Sequence, residues 1–236
     1  MALKQMEIFS VKKMEDIRDP YYIYDAYTVK VGSDHRILTI VTSSELTVTK
    51  WLKQAIKIRN NSCLPNKLVV GFSIELKPEY KHYFRVRHTC YYGLIILCIG
   101  AHCLIYLLYH PGDLRPKFLI SFLENPRVVV VGMGIEAKAS RLERDFRVKI
   151  QNAVDLNIGG KYDLDGLVLA VLGKDGVHVR FKKMTEWFKT SGELTDAKVL
   201  HSTADAHLYF RIAFKLYDMN HGSESKSNNN KKKGKK

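Results

Sequence analysis

Cysteine and acidic residues are scarce in this sequence. Its 236 residues include four cysteines, and 24 acidic side chains stand against 38 lysines and arginines. With so few cysteines and no long apolar core in the opening MALKQMEIFS, we expect reduced thiols and a nuclear or cytoplasmic protein. Cys98 and Cys103 have no second Cys or His pair that would complete a zinc site. The formal net charge of +14 favours a polyanion or an acidic membrane surface as the partner.

Long stretches without charge are also rare, and one of them has two interpretations. The run YYGLIILCIGAHCLIYLLY, residues 91–109, has the length of a membrane span. Gly100, Ala101 and His102 interrupt its centre, and two strands of about seven residues around a tight turn fit equally well. A single span within an otherwise globular pattern is the weaker interpretation. We therefore predict a buried β-hairpin and no membrane partner.

The hydrophobic content of 46% indicates a globular body. We predict a loose arm over residues 1–20, one domain over 21–219 and a disordered lysine-rich tail over 220–236. Strand patterns come first in hairpins and then alternate with helix patterns, which is typical of a mixed sheet with helices on its faces. Thr195 is a candidate N-cap for the last helix. The predicted helices cover residues 44–59, 113–126, 135–146, 163–173 and 196–219.

A glycine-rich motif offers one functional interpretation. A buried strand leads into Gly132-x-Gly134-x-x-Ala137 and a helix, and Asp155 ends the next short strand. This order is similar to the dinucleotide-binding fingerprint, in which glycines admit a pyrophosphate and a later acid binds the ribose. Against it, Glu136 lies where the pyrophosphate would approach, and little chain follows for a doubly wound sheet. Nucleotide binding stays an alternative, and a turn-capping role for Asp155 is the simpler interpretation.

Polar residues at three separated places give a second interpretation. Ser73 and Glu75 share one face of the predicted strand KLVVGFSIEL, and a carboxylate on a buried strand needs a partner or a chemical role. His201 and Asp205 lie four apart and share a helix face. Between these places comes VGMGIEAKASRLERDF with its helix. Together they resemble the 3′–5′ exonuclease domain of the DEDD superfamily, an RNase H-like fold, and especially the Werner-syndrome-like exonucleases that stand alone in plants.

This resemblance implies two divalent ions, Mg²⁺ or Mn²⁺, held by four carboxylates. Glu75 and Asp205 match two of those acids by position. Ser73 and Lys138 replace the other two, and His201 replaces the tyrosine that orients the attacking water. A catalytic role for His201 as the base and a role as a polar residue that fills the tyrosine position both stay open. The charge of these positions changes from −4 in the family pattern to −2 + 1 = −1 here. We expect Glu75 to pair with Lys138 across the former metal site, and hydrolysis to be impaired or lost.

Two segments mix cations with aromatic rings. YKHYFRVRH spans residues 80–88, and HVRFKK spans residues 178–183. Such mixtures suit a nucleic-acid single strand, because cations neutralise phosphates and rings stack on bases; a solvated strand face is the alternative. The tail KKKGKK fits nuclear import, phosphate binding or solubility equally well. The predicted nucleic-acid-binding residues are Lys81, Arg85, Arg87, Arg180, Lys182 and Lys183.

The sequence thus predicts an α/β protein of RNase H-like fold that binds DNA or RNA at a single strand or a 3′ end. Three function classes stay open. They are an active exonuclease with a reduced metal site, a nucleic-acid-binding module without hydrolysis, and an interaction scaffold. A helicase or another exonuclease subunit is a further candidate partner.

Overall fold

Nine strands in the described part of the chain form one mixed β-sheet in the computed structural model. The strands are β1 (Phe9–Lys13), β2 (Asp25–Val31), β3 (His35–Thr42), β4 (Cys63–Leu64), β5 (Lys67–Leu76), β6 (Gly93–Ile99), β7 (His102–Leu108), β8 (Val128–Gly132) and β9 (Ala153–Asp155). Their order across the sheet is β1-β2-β3-β7-β6-β5-β8-β9, and β4 pairs with β5 outside this path. The structure describes residues 9–14, 23–32, 35–57, 63–64, 67–76, 93–108, 116–157, 160, 162–173 and 193–233.

The sheet combines two modes of strand pairing. β3 and β7 are parallel, as are β5, β8 and β9. β6 runs antiparallel between β5 and β7, and β1 and β2 extend the sheet in antiparallel fashion beyond β3. The mixed sheet predicted from the order of patterns is confirmed. β5 lies inside the sheet, so its side chains alternate between two covered faces.

Helices cover both faces of this sheet. Within the described residues they are α1 (Glu45–Lys57), α2 (Lys117–Leu123), α3 (Ile135–Phe146), α4 (Leu164–Leu167, continued by a π-helical turn over Val168–Leu172) and α5 (Asp196–Lys233). The helices α1, α2 and α3 share one core with Phe72 and Ile74 of β5. The helix α5 packs on the opposite face. Thr195 is the N-cap of α5, as predicted, because its Oγ1 accepts a hydrogen bond from the Lys198 backbone N–H at 3.3 Å.

The long apolar run is a hairpin, as predicted. β6 and β7 pair Ile99 with His102, and Gly100, with φ of 62°, makes the turn with Ala101. Both strands are buried almost throughout, which explains the absence of charge. Cys98 and Cys103 stand opposite each other as free thiols. No helix in the described part of the chain is long and apolar enough to cross a membrane.

The structure differs from the sequence prediction at both ends of the domain. Within the predicted loose arm, β1 pairs with β2 and places Val11 opposite Val29. Lys13 fixes this edge through Asp25 at 2.9 Å and Glu193 at 3.1 Å. A five-residue strand with two lysines has too short a period-2 pattern to stand out in the sequence.

At the other end, α5 continues to Lys233 through a segment predicted to be disordered. Extending an existing helix costs far less than nucleating one, so α5 can continue through serine and asparagine, which have low helix propensity, to the lysines that follow. The low-complexity composition therefore concealed a helical continuation.

Gly71 allows α5 to lie directly on the sheet. A Cβ atom at this position would come 1.9 Å from the carbonyl oxygen of Ala206. The strand and the helix therefore approach each other at backbone distance, which only glycine permits here. This close approach brings the side chains of β5 beyond Gly71 against the first turns of α5.

Candidate functional site

Ser73 and Glu75 project from β5 towards α5. Phe72 and Ile74, their neighbours, point to the other face and belong to the core beneath α1 and α2. Ser73 is 7% exposed and Glu75 is half-buried. The predicted alternation is therefore correct, and it places a carboxylate between sheet and helix. A carboxylate in that position needs compensation by hydrogen bonds or a cation.

Glu75 obtains that compensation from α5. The Lys198 ammonium binds the Oε2 atom of Glu75, and the Ser202 hydroxyl donates a hydrogen bond to Oε1 at 2.9 Å. The Lys198 side chain is 3% exposed and that of Glu75 22%. Lys198 and Ser202 are four residues apart, so successive turns of α5 present both groups to the same carboxylate.

Lys138 lies on the adjacent helix α3 and reaches Ser73 instead of Glu75. Its Nζ donates to the Ser73 hydroxyl at 3.4 Å and lies 5.7 Å from the centre of the Tyr209 ring. The expected Glu75–Lys138 salt bridge is therefore wrong. Lys198 already binds Glu75 from the facing helix, which leaves the hydroxyl of Ser73 as the hydrogen-bond acceptor for Lys138.

Burial shifts the pKa values of Lys138 and Tyr209. It lowers the pKa of Lys138 below its ordinary value, because burial disfavours the ammonium, while the nearby carboxylates partly oppose this effect. Burial also raises the pKa of Tyr209, and the carboxylate of Asp205 adds to that shift. Tyr209 therefore stays a neutral phenol whose ring covers the Lys138 ammonium.

His201 and Asp205 meet on α5 as predicted from their spacing. The Nδ1 atom of His201 lies 3.6 Å from Oδ2 of Asp205. Both side chains are mostly buried, at 28% and 20% exposed. The structure thus brings Ser73, Glu75, Lys138 and Asp205 together with His201, and adds Lys198. We refer to these six residues as the β5–α5 site.

Asp155 rules against the nucleotide interpretation of the glycine-rich motif. Its Oδ2 accepts a hydrogen bond from the Ile135 backbone N–H at 3.0 Å, and its Oδ1 accepts one from Asn157 N–H at 2.9 Å. The carboxylate therefore occupies the N-terminus of α3, where a pyrophosphate would have to bind. Gly132 serves strand packing, since a Cβ there would come 2.6 Å from the Phe72 carbonyl oxygen. The turn-capping role of Asp155 is confirmed.

Comparison with known proteins shows the family of this chain. The chain is 31% identical over 189 residues to the bifunctional 3′–5′ exonuclease/ATP-dependent helicase WRN of Mus musculus, a match that covers 75% of this chain. The chain belongs to the DEDD superfamily of 3′–5′ exonuclease domains. It spans 13% of the length of that relative. No family model matches the sequence.

A solved structure supports the fold. The catalytic core of RRP6 from Trypanosoma brucei matches with a TM-score of 0.51 and 17% identity, over 78% of this chain and 47% of that one. The EXD2 exonuclease domain soaked in Mn and dGMP covers 76% of this chain and 88% of its own, with a TM-score of 0.39 and 16% identity. The predicted RNase H-like exonuclease fold is confirmed.

The β5–α5 site does not fit the two divalent ions of a DEDD exonuclease. Within the described residues, no three His, Cys, Asp or Glu side chains lie together as metal ligands. The ammonium groups of Lys138 and Lys198 donate to Ser73 and Glu75, the two strand positions that the resemblance predicts to correspond to metal-binding acids. Two carboxylates and two ammonium groups give −2 + 2 = 0, where the sequence alone predicted −1. A cation would enter against two resident positive charges.

Lys198 and Ser202 were missed by sequence reasoning. Their signal was present, because Lys198, Ser202, Asp205 and Tyr209 recur at helical spacing and form one stripe along α5. The helical spacing does not predict which residues of the sheet this stripe faces.

The catalytic roles of Glu75, His201 and Asp205 remain predictions. The predicted nucleic-acid-binding residues, which are Lys81, Arg85, Arg87, Arg180, Lys182 and Lys183, lie outside the described residues.

Proposed function

We propose that this chain is a nucleic-acid-binding member of the 3′–5′ exonuclease family that does not hydrolyse its ligand, related to the exonucleases that stand alone in plants. One observation carries the proposal. The Lys198 and Lys138 ammonium groups bind Glu75 and Ser73, where the family pattern has metal-binding acids. Both cations belong to the chain itself.

The chemistry of phosphodiester hydrolysis supports this proposal. In the two-metal mechanism the ions activate the attacking oxygen and stabilise the leaving oxygen. An ammonium can neutralise charge, but it has no open coordination position for a water molecule or a phosphate oxygen. Ser73 offers a neutral hydroxyl, which is already hydrogen-bonded to Lys138 at 3.4 Å. Hydrolysis by this chain would need Mg²⁺ or Mn²⁺ in the β5–α5 site, where the ammonium groups of Lys138 and Lys198 would repel the ion.

Binding of nucleic acid is supported by charge and composition. The net charge is +14, and the segments 80–88 and 178–183 alternate cations with aromatic rings. Phosphate neutralisation by such cations releases counterions and supplies affinity without sequence preference. We propose a DNA or RNA single strand, or a 3′ end, as the ligand.

The relatives suggest a further partner and a place of action. WRN carries an exonuclease and a helicase by name. We propose that this chain assists a helicase or another exonuclease subunit, in the nucleus or the cytoplasm. Co-purification of a helicase with the tagged chain, abolished by nuclease treatment, would indicate a contact through nucleic acid instead of a direct one.

The decisive test separates binding from hydrolysis. Oligonucleotides labelled at the 3′ end, as a single strand and as a recessed duplex of DNA or RNA, are incubated with Mg²⁺ or Mn²⁺. The protein and its Glu75→Gln variant are compared, and anisotropy at several salt concentrations measures affinity. We expect salt-dependent binding and no nucleotide release by either protein.

Two other outcomes would redirect the assignment. Release by the natural chain that disappears in the Glu75→Gln variant would establish an active exonuclease, with the His201–Asp205 pair as the candidate for activating water. Absence of both release and binding would favour an interaction scaffold.

A further inference from the structure

A cavity of about 510 Å³ lies between α1 and the strands β3 and β7. It is on the far side of the sheet from the β5–α5 site. Ile37, Thr39 and Val41 of β3 face α5, as the 3.1 Å contact between the Thr39 and Thr203 hydroxyls shows. Leu38 and Ile40 alternate with them and therefore face α1 and the cavity. The cavity is thus separate from the site that the exonuclease family uses.

The cavity walls are apolar and aromatic. Trp51 and Ala55 of α1 are buried, at 7% and 3% exposed. Ile40, His102 and Tyr24 are half-buried around them, and Leu38 is 37% exposed. A volume of this size falls within the range of small-molecule sites, which are concave and mostly apolar with a few polar groups at defined positions. Several rings line a space large enough for one more ring system.

Three polar side chains of the cavity come from one side of α1, and Tyr24, Thr47 and His102 also line it. Lys50, Gln54 and Lys57 lie at successive turns of the helix, and all three line the cavity with exposed side chains. An apolar ligand placed here therefore has ammonium and amide donors along a single edge. That edge is complementary to an anion.

We propose that this cavity binds a small aromatic acid, a molecule with an apolar ring system and one anionic group. The rings would lie against Trp51 and Leu38, and the anionic group would lie at the edge formed by Lys50 and Lys57. The ring system and the anionic group would contact different parts of the cavity. A neutral ring compound or a simple anion would therefore make only one of these two sets of contacts. This proposal is independent of whether the β5–α5 site hydrolyses nucleic acid.

A pair of fluorescent probes tests the proposal. 8-Anilinonaphthalene-1-sulfonate carries rings and a sulfonate, and N-phenyl-1-naphthylamine is the same ring system without the sulfonate. Titrated into the folded full chain, the sulfonate should bind at a single saturable site. The double variant Lys50→Ala/Lys57→Ala should weaken that binding about fivefold and leave the neutral probe unchanged.

Two further variants serve as controls. Lys53→Ala removes an exposed cation from the same helix, but its Nζ lies over the Phe118 ring at 5.7 Å and it does not line the cavity. It should bind the sulfonate as the natural chain does. Leu38→Trp fills the cavity from its exposed side and should weaken both probes by about tenfold or more. Because Leu38 is partly exposed, this variant should keep the urea midpoint of the natural chain.

Three results would overturn the proposal. The first is sulfonate binding that Leu38→Trp does not change. The second is an equal loss in Lys53→Ala and in the double lysine variant. The third is tighter binding of the neutral probe than of the sulfonate.

Discussion

Lys198 and Glu75, 123 residues apart in the chain, form a buried ion pair between α5 and β5. The Ser202 hydroxyl donates to the second oxygen of the same carboxylate at 2.9 Å. The first turns of α5 are therefore tied to the end of a central strand. In an exonuclease family whose acids hold metal ions, this acid is bound by the chain's own cation.

Replacing Lys198 by methionine should destabilise the fold by about 2 kcal/mol, because Glu75 loses its buried cation. The cost is limited because Glu75 keeps its hydrogen bond from Ser202 and is partly exposed to water. The measurement is urea unfolding at neutral pH. The double variant Lys198→Met/Glu75→Gln should recover much of the loss, since it removes both charges. Equal stability of the natural chain and the Lys198→Met variant would show that the ion pair contributes nothing measurable.

A metal site should reappear when the internal cations are removed. The triple variant Ser73→Asp/Lys138→Asp/Lys198→Met restores four carboxylates around the β5–α5 site. We expect millimolar Mn²⁺ to raise its unfolding temperature by about 3 °C and to leave the natural chain unchanged. The matched control is Ser73→Asn/Lys138→Asn/Lys198→Met, which has similar shapes without the added charges. A comparable rise in that control, or in the natural chain, would contradict this account of the site.

His207 should make the fold sensitive to acid. Burial, together with nearby His35 and Arg211, lowers the pKa of His207 to about 3, while its Nδ1 lies 3.2 Å from the Gly100 carbonyl oxygen. Between that value and the unfolded pKa of about 6.5, the unfolded chain binds the extra proton. The stability due to neutral His207 is therefore complete above pH 6.5 and is lost as the pH falls, by up to about 1.4 kcal/mol per pH unit.

The measurement for His207 is urea unfolding between pH 7 and pH 4. The His207→Gln variant keeps a hydrogen-bond donor but has no titrating group there. Its stability should fall less steeply with acid, and the difference between the two curves isolates His207. Parallel curves would show that this histidine titrates normally in the folded state.

Gly71→Ala should cost about 3 kcal/mol or more, because its Cβ would meet the Ala206 carbonyl oxygen at 1.9 Å. The helix and the strand would have to separate. The control is Gly32→Ala, where φ is +70° and the added atom meets nothing within 4 Å. That change should cost only about 1 kcal/mol, which reflects the backbone conformation. Similar losses in the two variants, measured by thermal unfolding, would argue against backbone contact at Gly71.

Local patterns were sufficient for most of the fold. The turn at Gly100 and the cap at Thr195 follow from residue types that suit those conformations, and the amphipathic period of α3 predicted its bounds correctly. β1 and the end of α5 were not predictable in the same way. β1 gains its stability from pairing with β2 and from the ion pairs of Lys13, which composition does not reveal.

The sequence predicted most residues of the candidate site but not the contacts between them. The resemblance placed Ser73, Glu75, Lys138 and Asp205 together. It did not predict which lysine binds Glu75, because that depends on where two helices from distant parts of the chain approach one strand. Lys138 is nearer in sequence to the strand, yet Lys198 on α5 reaches the carboxylate.

The contact between β5 and α5 also sets an order of events in folding. While the ribosome is still making residues 76–195, Glu75 has neither the cation nor the hydroxyl that it binds in the finished fold. Closing so long a loop is slow, and the centre of the sheet stays uncovered on one face until the last helix emerges. A nascent chain that stops before α5 therefore exposes the apolar strands β5 and β6. Chaperones would have their main opportunity to bind during that interval.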